Sequence, residues 1–252
     1  MPKRQFSLAA LIASYPLIVF AAGGQGDFLI PEPPAGSGKS LQLWATNYYV
    51  HIIESASQGI PFKNGKGEII SDNVTPKEWC LAAIEGTTMV PFNGDMVMLN
   101  YAGKGGTSQV DCARSLNIDA TKPGKQWILA TGKSYFTRAR GDYGDGVQGF
   151  KLVPYRTIAV DKSLIPYGTA LFIPKARGID VTLPNGERVN HDGYFFAADK
   201  GGAIKGNHID VFCGMVKSCL RSIATGNPAK TFSAVVITDS KVVNMLRKMH
   251  SD

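Results

Sequence analysis

Apolar residues recur along the chain in short runs separated by glycine, proline and asparagine, a pattern typical of strands joined by tight turns. Between Thr87 and Asn100 two such runs flank Asn93-Gly94, a dipeptide that favours a two-residue hairpin turn. The sequence therefore predicts a mainly β protein. The other strand candidates are 41–53, 127–131, 134–138, 157–160, 170–175, RGIDVTL at 177–183, YFFAAD at 194–199, and 234–239.

Two segments carry helix signals instead. Thr75 is a suitable N-cap, Pro76 favours the first helical position, and Gly86 is a typical stop, so we expect a short helix between them. At the C-terminus, apolar residues at helical spacing follow Asp239, which predicts a closing helix over 241–252. The chain is thus expected to be mainly β with few helices.

The first residues resemble a targeting segment. Lys3 and Arg4 precede an apolar stretch over 6–22, and small residues follow it, which is typical of a signal peptide spanning 1–23. A membrane anchor would need about 20 apolar residues, and Pro16 would interrupt its helix. A cysteine that could be acylated does not follow the stretch. We therefore expect an exported protein, periplasmic or extracellular, that touches the membrane only through this segment and is not a lipoprotein.

The four cysteines fit an exported protein. Cys80, Cys112, Cys213 and Cys219 are even in number and lack the C-x-x-C spacing of a zinc site. Two disulfides can connect four cysteines in three ways, and proximity along the chain favours Cys80 with Cys112 and Cys213 with Cys219. Buried free thiols are the alternative.

The charge of the chain limits the classes of partner. The formal net charge is +7, but the basic residues are scattered and form no stripe, which argues against a nucleic-acid surface. A mild positive field would suit an anionic wall polymer, although an ordinary solvated surface has the same composition. The sequence contains no cofactor motif and no recognisable metal-ligand spacing, so we expect neither a cofactor nor a metal.

The densest run of polar residues with potential chemistry is AADKGGAIKGNHIDVFCG at 197–214. A strand is predicted to end at Asp199, Gly201 and Gly202 are predicted to form a tight turn, and the next strand carries Asp210. If the two carboxyl groups converge, burial and like charge raise one pKa and keep a proton donor available near neutral pH. Cleavage of a glycosidic bond needs such an acid.

Simpler roles are open for the same residues. Aspartate beside glycine commonly caps a turn by accepting hydrogen bonds from backbone N–H groups, so Asp199 and Asp210 could both be turn caps. His208 could orient a carboxylate, or it could be a structural histidine beside an apolar strand.

Two longer motifs resemble a known family. TIAVDKSLIPYGTALFIP, followed by AADKGGAIKGNHIDVF, is similar to the 3D (three-aspartate) domain, and the upstream SYFTRARGDYGDGVQGFKLVPYR extends the resemblance to the membrane-bound lytic transglycosylase A family. The resemblance covers about 134–214 and implies a double-psi β-barrel. It implies that Asp210 is the single catalytic acid and base, that Asp199 is a supporting carboxylate, and that Asp161 is largely structural.

The resemblance also implies a division of the chain. Ala45-Thr46-Asn47-Tyr48 resembles the first strand of the family's barrel, so the region after it would be an insertion that forms a second lobe and the other wall of the substrate groove. The expected parts are a signal peptide at 1–23, a linker at 24–40, the barrel at 41–53 and 127–240, an inserted lobe at 54–126, and a C-terminal helix at 241–252.

The implied activity is cleavage of peptidoglycan glycan strands without water. Asp210 would protonate the glycosidic oxygen between N-acetylmuramic acid and N-acetylglucosamine and then take a proton from the C6 hydroxyl of the same sugar, forming a 1,6-anhydro ring. Lys205, Tyr135 and Arg138 are candidates for contact with the glycan, although each could be ordinary surface. The alternatives are a noncatalytic, expansin-like wall-binding module and a glycoside hydrolase in which Asp199 and Asp210 divide the acid and base roles.

Overall fold

A computed structural model describes residues 28–251; the predicted signal peptide and residues 24–27 of the predicted linker lie outside the described residues. In this part of the chain, no helix has both the length and the apolar character needed to cross a bilayer. The helices are α1 (Pro76–Glu85), α2 (Cys112–Ser115), α3 (Trp127–Thr131) and α4 (Ser240–Met249). The strands are β1 (Ser40–Tyr48), β2 (His51–Ile52), β3 (Ile60–Lys63), β4 (Ile69–Val74), β5 (Thr87–Phe92), β6 (Asp95–Lys104), β7 (Ser134–Arg138), β8 (Thr157–Ala159), β9 (Ala170–Phe172), β10 (Asp180–Thr182), β11 (Arg188–Asn190), β12 (Tyr194–Asp199), β13 (His208–Phe212) and β14 (Phe232–Ile237).

Six strands close into a barrel in the order β1-β13-β8-β12-β9-β14. Two of the neighbouring pairs, β1 with β13 and β8 with β12, are parallel, and the remaining pairs are antiparallel. Successive residues of a strand point to opposite sides, so Leu43, Ala45 and Ile209 fill the interior while the residues between them face outward. The prediction of a mainly β protein with a C-terminal helix is confirmed.

Strands β2 to β7 and the first three helices form the lobe, which we define as residues 51–138, whereas β10 and β11 pair with each other as a separate hairpin. Its main sheet has the order β2-β5-β6-β7, and β3 and β4 form a separate hairpin. The rings of Phe62, Trp79 and Phe136 pack against one another at the centre of its core. A disulfide between Cys80 and Cys112 joins α1 to α2. The lobe therefore has a core of its own beside the barrel.

Local sequence signals placed several elements correctly. Helix α1 has Thr75 as its N-cap, and it ends at Gly86, whose left-handed backbone has a φ of 86°. The β5–β6 hairpin turns at Asn93 and Gly94, both with positive φ as this turn type requires. The N-cap of α4 is Asp239. These predictions are confirmed.

Three predictions about strands are wrong. Residues 127–131 form helix α3, in which Ile128 and Thr131 share the buried face; an apolar run this short does not distinguish helix from strand. Strand β7 pairs with β6 in the lobe and not with the barrel. The predicted single strand over 41–53 is divided, because β1 belongs to the barrel whereas β2 pairs with β5 in the lobe.

The start of the described chain is fixed to the barrel, although its composition predicted a linker. Phe28 and Ile30 are buried, and the backbone N–H of Ile30 donates to the carboxylate of Asp192. Asp192 forms an ion pair with the fully buried Arg156, whose guanidinium lies 4.0 Å from the centre of the Phe28 ring. This segment is thus an ordered part of the fold.

The barrel and the lobe meet at an apolar cluster. Tyr48 and Phe212 come from the barrel, Met89 comes from the lobe, and Tyr143 belongs to the loop that connects β7 to β8. The same loop crosses β12 so closely at Gly146 that a Cβ atom there would lie 2.1 Å from the Ala198 carbonyl oxygen. These contacts fix the ends of β1, β12 and β13 relative to the lobe.

Candidate active site at the junction of barrel and lobe

The parallel pairing of β1 and β13 sets out side chains in three adjacent pairs. Trp44 lies beside His208, Thr46 beside Asp210, and Tyr48 beside Phe212. Because side chains alternate along a strand, all six project from the same outer face of the barrel. Asp210 therefore lies between two aromatic pairs and directly beside a hydroxyl group.

Asp210 is half-buried, and its environment keeps a proton on it more readily than usual. The Thr46 hydroxyl donates to Oδ1 of Asp210 over 2.7 Å. Burial raises the pKa of Asp210 to about 6; the Thr46 hydrogen bond opposes this shift, and the charge of Asp199 adds to it. Asp210 can consequently exist as either acid or carboxylate near neutral pH.

Asp199 is the second carboxyl group at this site. It lies at the end of β12, after a shift in the β8–β12 register at Ala197, and such irregularities redirect the side chains that follow. The phenol of Tyr48 donates to Oδ2 over 2.7 Å, and the N–H of Lys200 donates to Oδ1 over 2.8 Å. Burial raises the pKa of Asp199 to about 6, while these two hydrogen bonds and the charge of Lys200 lower it.

Glu85 is a third carboxyl group that the sequence reasoning missed. It is the last residue of α1, and the backbone N–H of Tyr49, just after β1, donates to it. Burial raises the pKa of Glu85 to about 7, the Tyr49 hydrogen bond opposes this, and the charge of Asp210 adds to it. The signal in the sequence is an acidic residue directly before the helix stop Gly86, where the helix dipole disfavours negative charge.

Asp161 has a different environment from the other two aspartates of the motif. Its carboxylate accepts hydrogen bonds from the hydroxyl and N–H of Ser163 and from the N–H of Gly206. The Ser163 hydroxyl contributes most to lowering the pKa of Asp161 to about 2, and Lys205 contributes least. An ionised Asp161 thus joins the loop after β8 to the loop before β13.

The loop between β12 and β13 also contains the predicted glycines. A Cβ atom at Gly201 would lie 2.6 Å from the side chain of Ile204, so close approach requires glycine there. Gly202 has open space around it and no positive φ, and nothing in the structure explains a requirement for glycine. Lys205 is exposed, and its charge acts on Asp161.

The other two candidates for glycan contact lie in the lobe. Tyr135 packs against Gly103, where a Cβ atom would lie 2.4 Å from the phenol oxygen. Arg138 is exposed and stacks over Phe92 at 5.2 Å. Neither side chain forms a hydrogen bond or ion pair with Asp199 or Asp210.

The cysteines form disulfides, and the described residues offer no metal site. A disulfide joins Cys213 to Cys219 directly after β13, so both pairings favoured by proximity are confirmed and the thiol alternative is wrong. Over residues 28–251, no group of three or more His, Cys, Asp or Glu side chains could hold a metal ion.

Comparisons with known proteins found a domain model, a curated relative and solved structures that this chain resembles. The family model described as the 3D domain matches residues 156–236, a span that includes Asp161, Asp199 and Asp210 but begins and ends about 22 residues later than predicted. The membrane-bound lytic murein transglycosylase A of Vibrio cholerae is 24% identical over 223 residues, which cover 76% of this chain and 55% of that protein. The chain thus spans about half the length of this curated relative.

Two solved structures share the fold. The structure of Escherichia coli MltA with bound chitohexaose has 19% identity and a TM-score of 0.50, over 78% of this chain and 71% of that one. A membrane-bound lytic murein transglycosylase from Agrobacterium tumefaciens has 15% identity and a TM-score of 0.50, over 83% and 78%. These matches confirm the predicted double-psi β-barrel. Residues 156–236 of the chain match the 3D domain model, and the chain shares its fold with these two transglycosylase structures.

Proposed function

We propose that this protein is a lytic transglycosylase that cleaves peptidoglycan between N-acetylmuramic acid and N-acetylglucosamine and leaves 1,6-anhydromuramic ends. The observation that carries the proposal is the half-buried Asp210, which has a hydroxyl donor at 2.7 Å, a second carboxyl group beside it, and a pKa raised to about 6. A group with this pKa can act as an acid and then as a base at neutral pH.

In the first step, protonated Asp210 donates its proton to the glycosidic oxygen. The bond between this oxygen and C1 of the muramic acid breaks, and positive charge develops on the sugar ring. The neighbouring Asp199, held as a carboxylate by the Tyr48 phenol and the Lys200 N–H, stabilises that charge. The products of this step are the free hydroxyl of the leaving sugar, an oxocarbenium-like muramic acid ring and an ionised Asp210.

In the second step, the same Asp210 takes the proton from the C6 hydroxyl of the muramic acid. The oxygen of this C6 hydroxyl attacks C1 and closes the anhydro ring. The proton returns to Asp210, and no water is consumed. One carboxyl group is sufficient because the nucleophile belongs to the substrate and is present at a very high effective concentration. The Thr46 hydroxyl suits both steps, since it can accept a hydrogen bond from the acid and donate one to the carboxylate.

The proposed setting is the cell envelope outside the cytoplasm. The predicted signal peptide and the two disulfides support export, because disulfides persist in oxidising compartments. Glycan strands of peptidoglycan are the proposed partner. The names of the relatives support this choice, since they are murein transglycosylases and one structure contains chitohexaose.

Mass spectrometry of the soluble products released from purified peptidoglycan tests the proposal, with Asp210→Asn as the control. We expect anhydromuropeptides from the wild-type protein and none from the variant, which should still fold and bind the glycan. Reducing-end products would instead identify a glycoside hydrolase. Binding without any product, in both proteins, would identify a wall-binding module.

A further inference from the structure

We propose that His208 is a positioning residue for Asp210 and that it acts through the Thr46 hydroxyl. This inference rests on the proposed function, because positioning matters only if Asp210 transfers protons. His208 Nε2 lies 2.9 Å from Thr46 Oγ1, which in turn lies 2.7 Å from Asp210 Oδ1. The three side chains form one continuous hydrogen-bonded row across β1 and β13.

The direction of these hydrogen bonds follows from the chemistry of the three groups. The Thr46 hydroxyl has one proton, and when it donates this proton to Asp210 its oxygen is free to accept from His208 Nε2. Burial lowers the pKa of His208 and favours a neutral ring with a single N–H, for which the backbone of Ala203 and the Thr46 oxygen compete. When Nε2 carries that proton and donates it to Thr46, the Thr46 hydroxyl is held in the orientation that donates to Asp210.

The ring of His208 is held in place by stacking. It lies parallel to the ring of Trp44, with 3.7 Å between the ring centres and 7° between the planes, and only 9% of the residue is exposed. Burying a polar ring costs free energy unless its nitrogens are hydrogen-bonded. The observed orientation meets this requirement by directing Nε2 at Thr46, which distinguishes His208 from an apolar filler of the same shape.

Loss of the row should affect the chemical step more than glycan binding. Without His208 Nε2, the Thr46 hydroxyl is free to rotate, and the Asp210 proton is then less often directed at the glycosidic oxygen. We expect kcat to fall about 10-fold, the effect of one hydrogen bond made in the transition state, while KM changes by less than about 2-fold. His208→Phe is the informative variant, because phenylalanine keeps the stack on Trp44 and removes the nitrogen.

A double-mutant cycle measures the connection. Release of anhydromuropeptides from glycan strands is followed for the wild type, His208→Phe, Thr46→Val and the double variant, with His208→Gln as a rescue that restores an N–H donor. If His208 acts through Thr46, His208→Phe lowers kcat in the wild type and has no further effect in Thr46→Val. An equal loss in both backgrounds would overturn the proposal, and so would a rise in KM alone, which would indicate an aromatic platform for the sugar.

A second measurement separates this proposal from the proposed function. Carbon NMR titration of the Asp210 carboxyl group measures its pKa without any turnover. The groups around Asp210 that influence its charge are Thr46, Asp199 and Glu85. We expect His208→Phe to raise the pKa of Asp210, because the hydrogen bond from Thr46 to the carboxylate weakens, and to have no such effect in Thr46→Val. An unchanged pKa in both backgrounds contradicts the inference even if the protein proves to be a transglycosylase. Absence of anhydro products from the wild type, with the pKa shift present, contradicts the function alone.

Discussion

The hydrogen bond from Tyr48 to Asp199 controls the charge of the candidate site, and the variant Tyr48→Phe removes it. The phenol is buried and donates to Oδ2 of Asp199 over 2.7 Å. Burial raises the pKa of Asp199 to about 6, and this hydrogen bond is the largest of the effects that lower it. Without the phenol, the pKa of Asp199 must therefore rise further.

The size of the rise follows from the value of a hydrogen bond to a charged group, about 1.5–3 kcal/mol. One pKa unit corresponds to about 1.4 kcal/mol. Because the Lys200 N–H still donates to the other oxygen, we take the lower limit and expect a rise of about one unit. Asp199 is then about half neutral at pH 7. Its smaller average charge raises the pKa of Asp210 less, so the pKa of Asp210 falls.

The pH dependence of turnover reports this change. Free enzyme with a protonated Asp210 is the active form, so the alkaline limb of kcat/KM should move to lower pH in Tyr48→Phe. Carbon NMR of the two carboxyl groups should show the pKa of Asp199 rising and that of Asp210 falling. Tyr49→Phe is the matched control, because it removes the same hydroxyl from a residue that contacts Glu85 through its backbone. An alkaline limb that moves to higher pH would refute the reasoning.

Three further predictions concern stability and the neighbours of the carboxyl pair. Asp210→Asn should raise the free energy of unfolding at pH 8 by about 1–2 kcal/mol. Burial raises the pKa of Asp210 to about 6, so the ionised carboxylate destabilises the folded protein at pH 8. Denaturation at pH 3, where Asp210 is protonated, should show no such gain. The charge of Asp210 raises the pKa of Glu85, and because this repulsion is mutual, an ionised Glu85 favours a protonated Asp210. Glu85→Gln should therefore leave kcat/KM near wild type at pH 6 and lower it above pH 7; an equal loss at both pH values would contradict this. Gly146→Ala places a Cβ atom 2.1 Å from the Ala198 carbonyl oxygen, so it should shift Asp199 and lower turnover more than glycan binding. Normal turnover of the variant would show that the loop moves instead of β12.

Local signals in the sequence were sufficient for elements whose ends are specified by one or two residues. Helix α1 was predicted because Thr75 and Gly86 define its ends, and the β5–β6 hairpin was predicted because Asn93 and Gly94 adopt positive φ. Helix α3 was mistaken for a strand because five residues with no side-chain cap carry no such signal. Whether a strand joins the barrel or the lobe depends on long-range pairing, which explains the error at β7.

The candidate site also combines residues that local sequence predicts with residues that depend on long-range pairing. Asp199 and Asp210 stand out in the sequence because glycine-dependent turns surround them, yet their hydroxyl donors do not. Thr46 lies 164 residues from Asp210 and meets it only through the parallel register of β1 and β13. Tyr48 reaches Asp199 across 151 residues. Glu85 comes from the lobe, and its approach to Asp210 depends on how the lobe packs on the barrel.

The most direct test of the proposed chemistry is digestion of purified peptidoglycan in water enriched in oxygen-18, followed by mass spectrometry of the released muropeptides. If the C6 hydroxyl is the nucleophile and Asp210 only moves protons, the new muramic ends are anhydro and contain no oxygen-18, and Asp210→Asn releases none. Reducing muramic ends that carry one oxygen-18 atom would show that water attacks C1, and would contradict the single-carboxyl mechanism proposed for Asp210.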